Sequence, residues 1–442
     1  MTERYWLETL GCPKNEVDSD KLVGTLERAG MSATDGPEHA DLVVVNTCAF
    51  IEAARQESID TILDLASRRR PGARLVVTGC LAERYGEELA QAMPEIDLVA
   101  GFGEAIIPQS APVGRVAVGA PKLKKTLAFD LLELPRPKAR APWAYVKVAE
   151  GCDRRCAYCA IPSFRGPQRS RGTDSVLDEI ESLGSHVREV VLVAQDLASW
   201  ELDRSSSHSR EPRTAGEVRP IVRLLEQVAG RVERVRLLYL YPSSVDDALI
   251  DAVCATGVPY FDLSLQHVSR PLLKRMSRPG YGSKFLDLIA RIRDRAPEAA
   301  LRSSFILGFP GETEEDHDEL LGFLEQARLD WAGFFTFSEE PGTPAEGLEP
   351  VVVPELALDR LREASEVQDQ VTAEKRRALV GETLSVLVDA PGVARSYREA
   401  PEIDGVIHVP EHLGVGSVVD VVATGAAGPD LWAEFALEVA AS

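Results

Sequence analysis

Three short apolar runs in the first hundred residues, 5–10, 42–46 and 74–78, are each followed two positions later by a cysteine: Cys12, Cys48 and Cys80. After each run comes a stretch with apolar residues at helical spacing, at 17–29, about 50–66 and about 82–93, and Gly30 closes the first of them. This alternation predicts strand–helix units building a parallel sheet covered by helices. A fourth run, 97–100, extends the sheet. Adjacent parallel strands lie about 5 Å apart, so residues at the carboxyl ends of three of them converge within reach of one metal cluster. That end is also the crevice where open α/β sheets bind ligands. A single buried cysteine is ordinarily core packing, but the same strand-end placement three times over favours a metal site for the set. Separations of 36 and 32 residues hide that site from any local motif search.

At 442 residues the chain exceeds what one compact core usually takes, and its texture divides it. The expected organisation is an open parallel α/β sheet domain over 1–110, a linker over 111–142, a second α/β region over 143–353, a connecting helix over 354–380 and a small all-β domain over 381–442. In the second region, strands are expected at 144–149, 188–194, 234–240, 260–265, 301–307 and 333–337. Helices are expected between them at 174–183, 221–229, 245–255, 283–295 and 314–327, which is the plan of an open (βα)6 partial barrel. The polar stretch 203–219 reads as a surface insertion with no assigned function, 354–378 as one long charged helix, and the Val-rich runs after Gly381 as short strands.

Seven cysteines, an odd number in a long chain, fit metal or redox chemistry better than a disulfide framework and point to a reducing cytoplasm. The first thirty residues mix Glu3, Arg4, Glu8, Lys14, Glu16 and Asp18 among apolar ones, so neither a secretory segment nor a membrane span can be drawn there. Cys254, inside the apolar helical run 249–255, reads as core filler. A formal charge of -21 disfavours direct nucleic-acid binding and favours a basic partner.

The strongest chemical signal is Gly151-Cys152-Asp153-Arg154-Arg155-Cys156-Ala157-Tyr158-Cys159, placed directly after the first barrel strand. A loop with this spacing can wrap three corners of a 4Fe-4S cube and leave the fourth iron free for substrate. The alternative is a structural zinc loop, although zinc sites prefer paired C-x-x-C spacing with a second pair elsewhere. The Cys152, Cys156, Cys159 pattern, with aromatic Tyr158 inside it, resembles the signature of the radical S-adenosylmethionine (SAM) superfamily. The resemblance implies that the open iron chelates SAM and that one-electron reduction releases a 5'-deoxyadenosyl radical. Barrel cofactors are held at strand carboxyl ends, where this chain offers Gln195-Asp196, Gln266-His267 and Gly308-Phe309-Pro310-Gly311-Glu312. Tyr158, Gln195, Asp196, Gln266, Arg302, Gly308 and Gly311 are therefore candidate SAM contacts. Gly308 and Gly311 equally suit a plain βα turn, and His267 a hydrogen-bonded wall.

With Cys12, Cys48 and Cys80 added, the whole chain resembles the radical SAM methylthiotransferases: a cluster domain, a radical barrel and a terminal β barrel of the TRAM type. The resemblance implies two 4Fe-4S clusters, one SAM as radical source and another as methyl donor, and no catalytic side chain beyond the cluster ligands. The stretches Leu10-Gly11-Cys12-Pro13-Lys14-Asn15, Leu265-Gln266-His267 and Met276-Ser277-Arg278-Pro279-Gly280 look like the branch that modifies an aspartate of small-subunit ribosomal protein twelve, near the decoding region. Between residues 381 and 442 ten acidic residues face only two basic ones, Arg395 and Arg398, a balance suited to a basic ribosomal protein and not to RNA. Methylthiolation of adenosine in transfer RNA is the enzymatic alternative, and an iron-sulfur electron carrier or scaffold the non-enzymatic one. A ferredoxin or flavodoxin is the expected electron donor, with a separate sulfur donor.

Overall fold

A computed structural model describes residues 2–107, 129–203 and 218–436. Most of the expected linker, most of the 203–219 insertion and the last six positions lie outside the described residues. The chain forms two compact units, one of residues 1–138 with 160–167, the other of 139–159 with 168–442.

The first unit is a parallel sheet of β1 (Arg4–Thr9), β2 (Ser32–Ala33), β3 (Leu42–Thr47), β4 (Arg74–Gly79) and β5 (Leu98–Val99), in the order β2-β1-β3-β4-β5. Helices α1 (Pro13–Arg28), α2 (Glu52–Arg68) and α3 (Cys80–Ala92) connect them. Central β3 is buried at all six positions, because helices on both faces leave a parallel strand no solvent side. Helix α1 starts four residues before the expected position 17: Cys12 is its extended N-cap and Pro13 its first residue. The polar turn Lys14-Asn15-Glu16 carries no apolar period, so periodicity cannot register it. Helix α3 likewise starts at Cys80 itself. Each cysteine thus stands where a strand gives way to a helix.

The second unit opens with β6 (Trp143–Lys147) and a small antiparallel ribbon of β7 (Ala149–Glu150) with β8 (Arg169–Ser170); the intervening α4 (Ile161–Arg165) belongs to the first unit. Then follow α5 (Thr173–Ser182), β9 (Glu189–Val193), α6 (Pro220–Ala229), β10 (Arg234–Leu237), α7 (Asp247–Ala255) and β11 (Tyr260–Gln266). After them come α8 (Arg270–Arg275), α9 (Gly282–Arg295), β12 (Ala300–Leu307), α10 (Glu314–Ala327) and β13 (Trp331–Thr336). Strands β6-β9-β10 and β11-β12-β13 form two parallel three-stranded sheets, joined by a parallel bridge between Leu240 and Leu263. The six strands make the expected partial barrel. Its core includes buried Val146, Leu192, Leu237, Leu263 and Phe305, and Cys254 packs at its margin. Short α8 and the β7–β8 ribbon are absent from the expected elements because neither is long enough to show a period.

Helix α11 (Pro354–Arg377) leads to a closed barrel of β14 (Thr383–Ala390), β15 (Val393–Arg395), β16 (Ile407–His408), β17 (Val418–Ala427) and β18 (Asp430–Phe435). The segment after β15 lies against the amino ends of the six barrel strands. There the Tyr145 hydroxyl donates to Pro401 O at 2.7 Å, Tyr260 to the Asp404 carboxylate at 2.6 Å and Trp331 Nε1 to Arg398 O at 2.7 Å. Fully buried Glu189 on β9 accepts from Arg236 Nε at 2.7 Å and lies 3.2 Å from Arg395 Nη1. Burial opposes its ionisation, but the Arg236 and Arg395 guanidiniums outweigh that and hold its carboxyl at about 2. Among the described residues no helix is long and apolar enough to cross a membrane.

Glu189→Gln takes from buried Arg236 its carboxylate partner and leaves Arg395 with Asp389 alone, and should cost about 3–5 kcal/mol in urea unfolding; a midpoint like the wild type's would contradict the pairing. Since its folded pKa is depressed, Glu189 stabilises at neutral pH, and the contribution is lost as pH falls from the ordinary carboxyl range towards 2. Asn15, 0 % exposed, donates its side-chain N–H groups to Leu10 O and Thr47 O, each at 2.9 Å. Asn15→Leu should therefore cost about 1–3 kcal/mol for each carbonyl left unpaired, read by the same titration.

Candidate functional site

In the first unit the three strand ends are held together by buried amides. Beyond its bonds to Leu10 and Thr47, Asn15 receives at its own backbone O the Asn46 Nδ2 donor at 2.8 Å, and Asn46 also donates to Ser19 Oγ at 2.9 Å. Thr47 Oγ1 ties β3 to β4 through Thr78 O at 2.5 Å. Ser58 of α2 fixes the Cys48 backbone from both sides, accepting from its N–H at 3.1 Å and donating to its O at 2.9 Å. Two glycines make room for this arrangement. A Cβ on Gly11 (φ +97°) would sit 2.9 Å from Cys48 Sγ, and one on Gly79 (φ +91°) would sit 2.5 Å from Thr47 O. Both also adopt the left-handed region that side chains disfavour.

The structure brings Cys12, Cys48 and Cys80 to one end of this sheet, with Cys48 and Cys80 buried and Cys12 partly so. Burial raises the Cys12 thiol pKa, but Lys14, Arg165 and the N–H groups of Asn15 and Lys14 outweigh it and bring the pKa below its ordinary value. Burial, reinforced by the charges of Cys80 and Cys12, pushes Cys48 up to about 12. Burial also raises Cys80, against the pull of Arg165, whose Nη2 lies 3.0 Å from the Cys80 sulfur. Burial and the neighbouring thiolates raise Cys48 and Cys80, a cost that a shared cation such as an iron cluster would relieve. Among the described residues no three His, Cys, Asp or Glu side chains converge tightly enough for a single metal ion. A 4Fe-4S cube takes its thiolates on separate corners, so the donor set suits a cluster better than zinc.

In the second unit the loop from Gly151 to Cys159 leaves the carboxyl end of β6 and the short β7. Glu150 anchors it, accepting from Lys147 Nζ at 2.6 Å, from the Gly151 N–H at 3.1 Å and from Gln195 Nε2 at 2.7 Å. The Ala157 N–H donates to Met276 O and its carbonyl accepts from the Ala345 N–H, both at 2.9 Å. The thiols themselves are met by donors: the Arg154 N–H at 3.4 Å from Cys152 Sγ, and Arg278 Nη1 at 3.3 Å from Cys156 Sγ. Burial raises the Cys152 pKa to about 11, against the Arg154 N–H. Arg278 also reaches the Tyr158 hydroxyl at 3.4 Å and the carbonyl of Ser264. The Arg154 and Arg278 guanidiniums lie over the Tyr241 ring, 3.9 and 4.3 Å from its centroid.

Gln195 and Asp196 stand just beyond β9, and Gln266 ends β11 with φ +73°, a left-handed conformation uncommon for a non-glycine residue. Asp196 accepts from Arg154 Nε at 2.6 Å through one oxygen. Its Oδ1 and the Gln195 Oε1 are buried without a hydrogen-bond partner among the described residues, which suits a polar ligand at that end. Gly308 and Gly311 have structural reasons of their own. The Gly308 N–H donates to the Glu312 carboxylate and a Cβ there would run into Ala357, while a Cβ on Gly311 would sit 2.8 Å from Arg275 Nε. His267 is buried, with Nδ1 accepting from the Ser269 N–H at 3.1 Å.

Arg302 needs correction as a candidate SAM contact. It lies near the amino end of β12, 3.1 Å from Asp262 and 3.4 Å from Asp404, in the ion pairs that close the opposite end of the barrel. A cation near a strand motif gives no sign in sequence of which end it serves. Asn15, Arg165, Arg154, Arg278 and Tyr241 were not singled out from sequence because most of their partners are distant in the chain, up to 150 residues away; the one available signal was an amide in two of the three strand-to-helix stretches, Asn15 and Asn46.

Residues 4–101 match the model of an uncharacterized protein family, UPF0004, residues 146–324 that of the radical SAM superfamily, and residues 380–436 that of the TRAM domain. Among solved structures, the radical SAM methyltransferase TsrM from Kitasatospora setae superposes with a TM-score of 0.50 at 15% identity, covering 94% of this chain and 82% of that one, a likeness of fold. Ribosomal protein uS12 methylthiotransferase RimO from Moorella thermoacetica is 42% identical, covering 94% of this chain and 95% of its own length. The protein of the same name from Kineococcus radiotolerans is 40% identical over 97% of this chain and 96% of its own, and that from Geobacter sulfurreducens 38% over 98% of both. Identity at this level over 94–98% of the chain means that it belongs to the ribosomal protein uS12 methylthiotransferase RimO family.

Proposed function

We propose that this chain is a radical SAM enzyme that methylthiolates the β-carbon of an aspartate in ribosomal protein uS12, giving 3-methylthioaspartate. The observation that carries the reading is the presence of two separate three-thiol sites, each at the carboxyl ends of parallel strands. Cys152, Cys156 and Cys159 would hold the radical-generating cluster, and Cys12, Cys48 and Cys80 the auxiliary one. When bound, the clusters and SAM supply a 5'-deoxyadenosyl radical and a methylthio group. The chain's own residues do the holding. Glu150 and the bonds at Ala157 fix the cysteine loop, Arg278 and the Arg154 N–H donate to its sulfurs, and Gln195, Asp196, Gln266 and Tyr158 are the proposed contacts to SAM. No side chain is needed as a general base, because the hydrogen leaves the carbon as an atom.

The terminal barrel supports a basic protein substrate more strongly than the charge count implied. Its two arginines are buried, Arg395 against Asp389 at 2.5 Å and Arg398 against the Glu298 carboxylate at 2.5 Å. Glu382, Glu402, Glu411, Asp420 and Glu434 remain exposed, so the described surface of residues 381–436 offers acid and no Lys or Arg to a partner. Such a surface attracts a Lys- and Arg-rich protein and repels a phosphate backbone. The reading also assigns a ferredoxin- or flavodoxin-type reductant, a sulfur donor and a cytoplasmic location with the ribosome.

Incubation of the anaerobically reconstituted enzyme with uS12, SAM and a low-potential reductant should add the mass of one methylthio group, in place of hydrogen, to a single aspartate. An unmodified uS12, or methylthioadenosine appearing in added transfer RNA, would overturn the substrate. The two thiol sites should also separate by role. Cys152→Ala should abolish 5'-deoxyadenosine formation, whereas Cys48→Ala should retain it and lose methylthiolation, with both products followed by liquid chromatography and mass spectrometry.

A further inference from the structure

Arg165, the last residue of α4, has a side chain only 2% exposed in the first unit. Its Nη2 lies 3.0 Å from Cys80 Sγ and 2.7 Å from Asn15 Oδ1, its Nη1 lies 3.3 Å from Asp18 Oδ2, and the guanidinium stands 4.5 Å from the Phe102 ring centroid. A planar fork held at so many points cannot swing away, so its N–H donor is fixed on the Cys80 sulfur, while its charge also draws down the pKa of Cys12 and Cys48. The other two thiols are met by backbone instead, Cys48 by the Phe50 N–H and Cys12 by those of Asn15 and Lys14. Asp18, 1% exposed, balances part of the guanidinium charge from the Nη1 side, and the Cys80 side stays a donor. None of the contacts used by the cysteine reading requires an arginine here.

We propose that Arg165 is a positioning residue of the auxiliary cluster, which holds a cationic donor on the Cys80 sulfur and thereby raises the reduction potential of that cluster. The proposal rests on the reading of Cys12, Cys48 and Cys80 as the cluster's ligands. A hydrogen bond and a positive charge at a thiolate ligand stabilise the reduced form, which carries one more negative charge, over the oxidised form. Low dielectric around the buried guanidinium enlarges the effect. Arg165 thus sets how readily the auxiliary site accepts an electron, without touching substrate.

The test uses the full chain with Cys152, Cys156 and Cys159 all changed to Ala, reconstituted anaerobically with iron and sulfide so that only the first unit can hold a cluster. Its midpoint potential is read by redox titration followed by electron paramagnetic resonance. Arg165→Met should lower the reduced-to-oxidised ratio at a fixed potential about tenfold, or about 59 mV for one electron. Arg165→Lys should fall between it and the parent. Because Arg165→Met strands the buried Asp18 carboxylate, Asp18→Asn/Arg165→Met is measured beside it and should also lie below the parent. Potentials equal to the parent's in these variants would overturn the proposal and leave the ligand assignment standing. If neither Met variant takes up iron, Arg165→Lys decides alone, and a parent-like value overturns the proposal. A parent that binds no cluster would overturn the ligand assignment itself, and the proposal with it.

Discussion

One buried side chain carries the geometry of the first unit. Asn15 has two side-chain donors and one side-chain acceptor oxygen, and each is used: the donors on Leu10 O and Thr47 O, the oxygen on Arg165. Those carbonyls belong to the ends of two neighbouring strands, and each stands one or two residues from a cysteine. An amide in the first turn of α1 therefore fixes the separation of Cys12 and Cys48, and through Arg165 it fixes Cys80 as well. Aspartate, with two acceptors and no donor, cannot make these bonds; an apolar residue leaves the carbonyls without partners in a site that excludes water. A polar network of this kind specifies one arrangement only when every member is satisfied.

The second unit separates its tasks along the barrel axis. At the amino ends of the strands, Glu189, Arg236, Arg395, Asp262, Arg302 and Asp404 form ion pairs that join the terminal barrel to the radical barrel, and these residues are spent on stability. At the carboxyl ends stand the cysteine loop and the buried Asp196 Oδ1 and Gln195 Oε1, which have no hydrogen-bond partner among the described residues. The division follows the general rule for (βα) barrels, in which the strand carboxyl ends bear the chemistry.

The sheet, the six barrel strands and the terminal barrel were legible because each rests on a local signal, a period or a turn, and the strand-end placement of Cys12, Cys48 and Cys80 could be read from the same strand periods. Helix α10 is found at the expected 314–327, and the structure adds its cap, Thr313 and Asp316 closing a reciprocal pair of bonds ahead of an apolar stripe. What stayed hidden depends on separation in the chain. Arg165 contacts residues 85 and 150 positions away, and Arg278 reaches Cys156 across 122. Arg302 misled for the same reason, since its membership of the amino-end ion pairs is decided by Asp404 on a different domain. The charge of the terminal barrel was legible in sign, and it took burial of Arg395 and Arg398 to show that solvent meets only its acid.

The central claim is that the three dispersed cysteines of the first unit hold a complete second cluster. It is tested most directly by counting iron and acid-labile sulfide, with Mössbauer spectra, in the anaerobically reconstituted wild type and in a variant with Cys12, Cys48 and Cys80 all changed to Ala. The account predicts about eight iron atoms per chain in the wild type and about four in the variant, all as 4Fe-4S. An iron content unchanged by the three substitutions would contradict it.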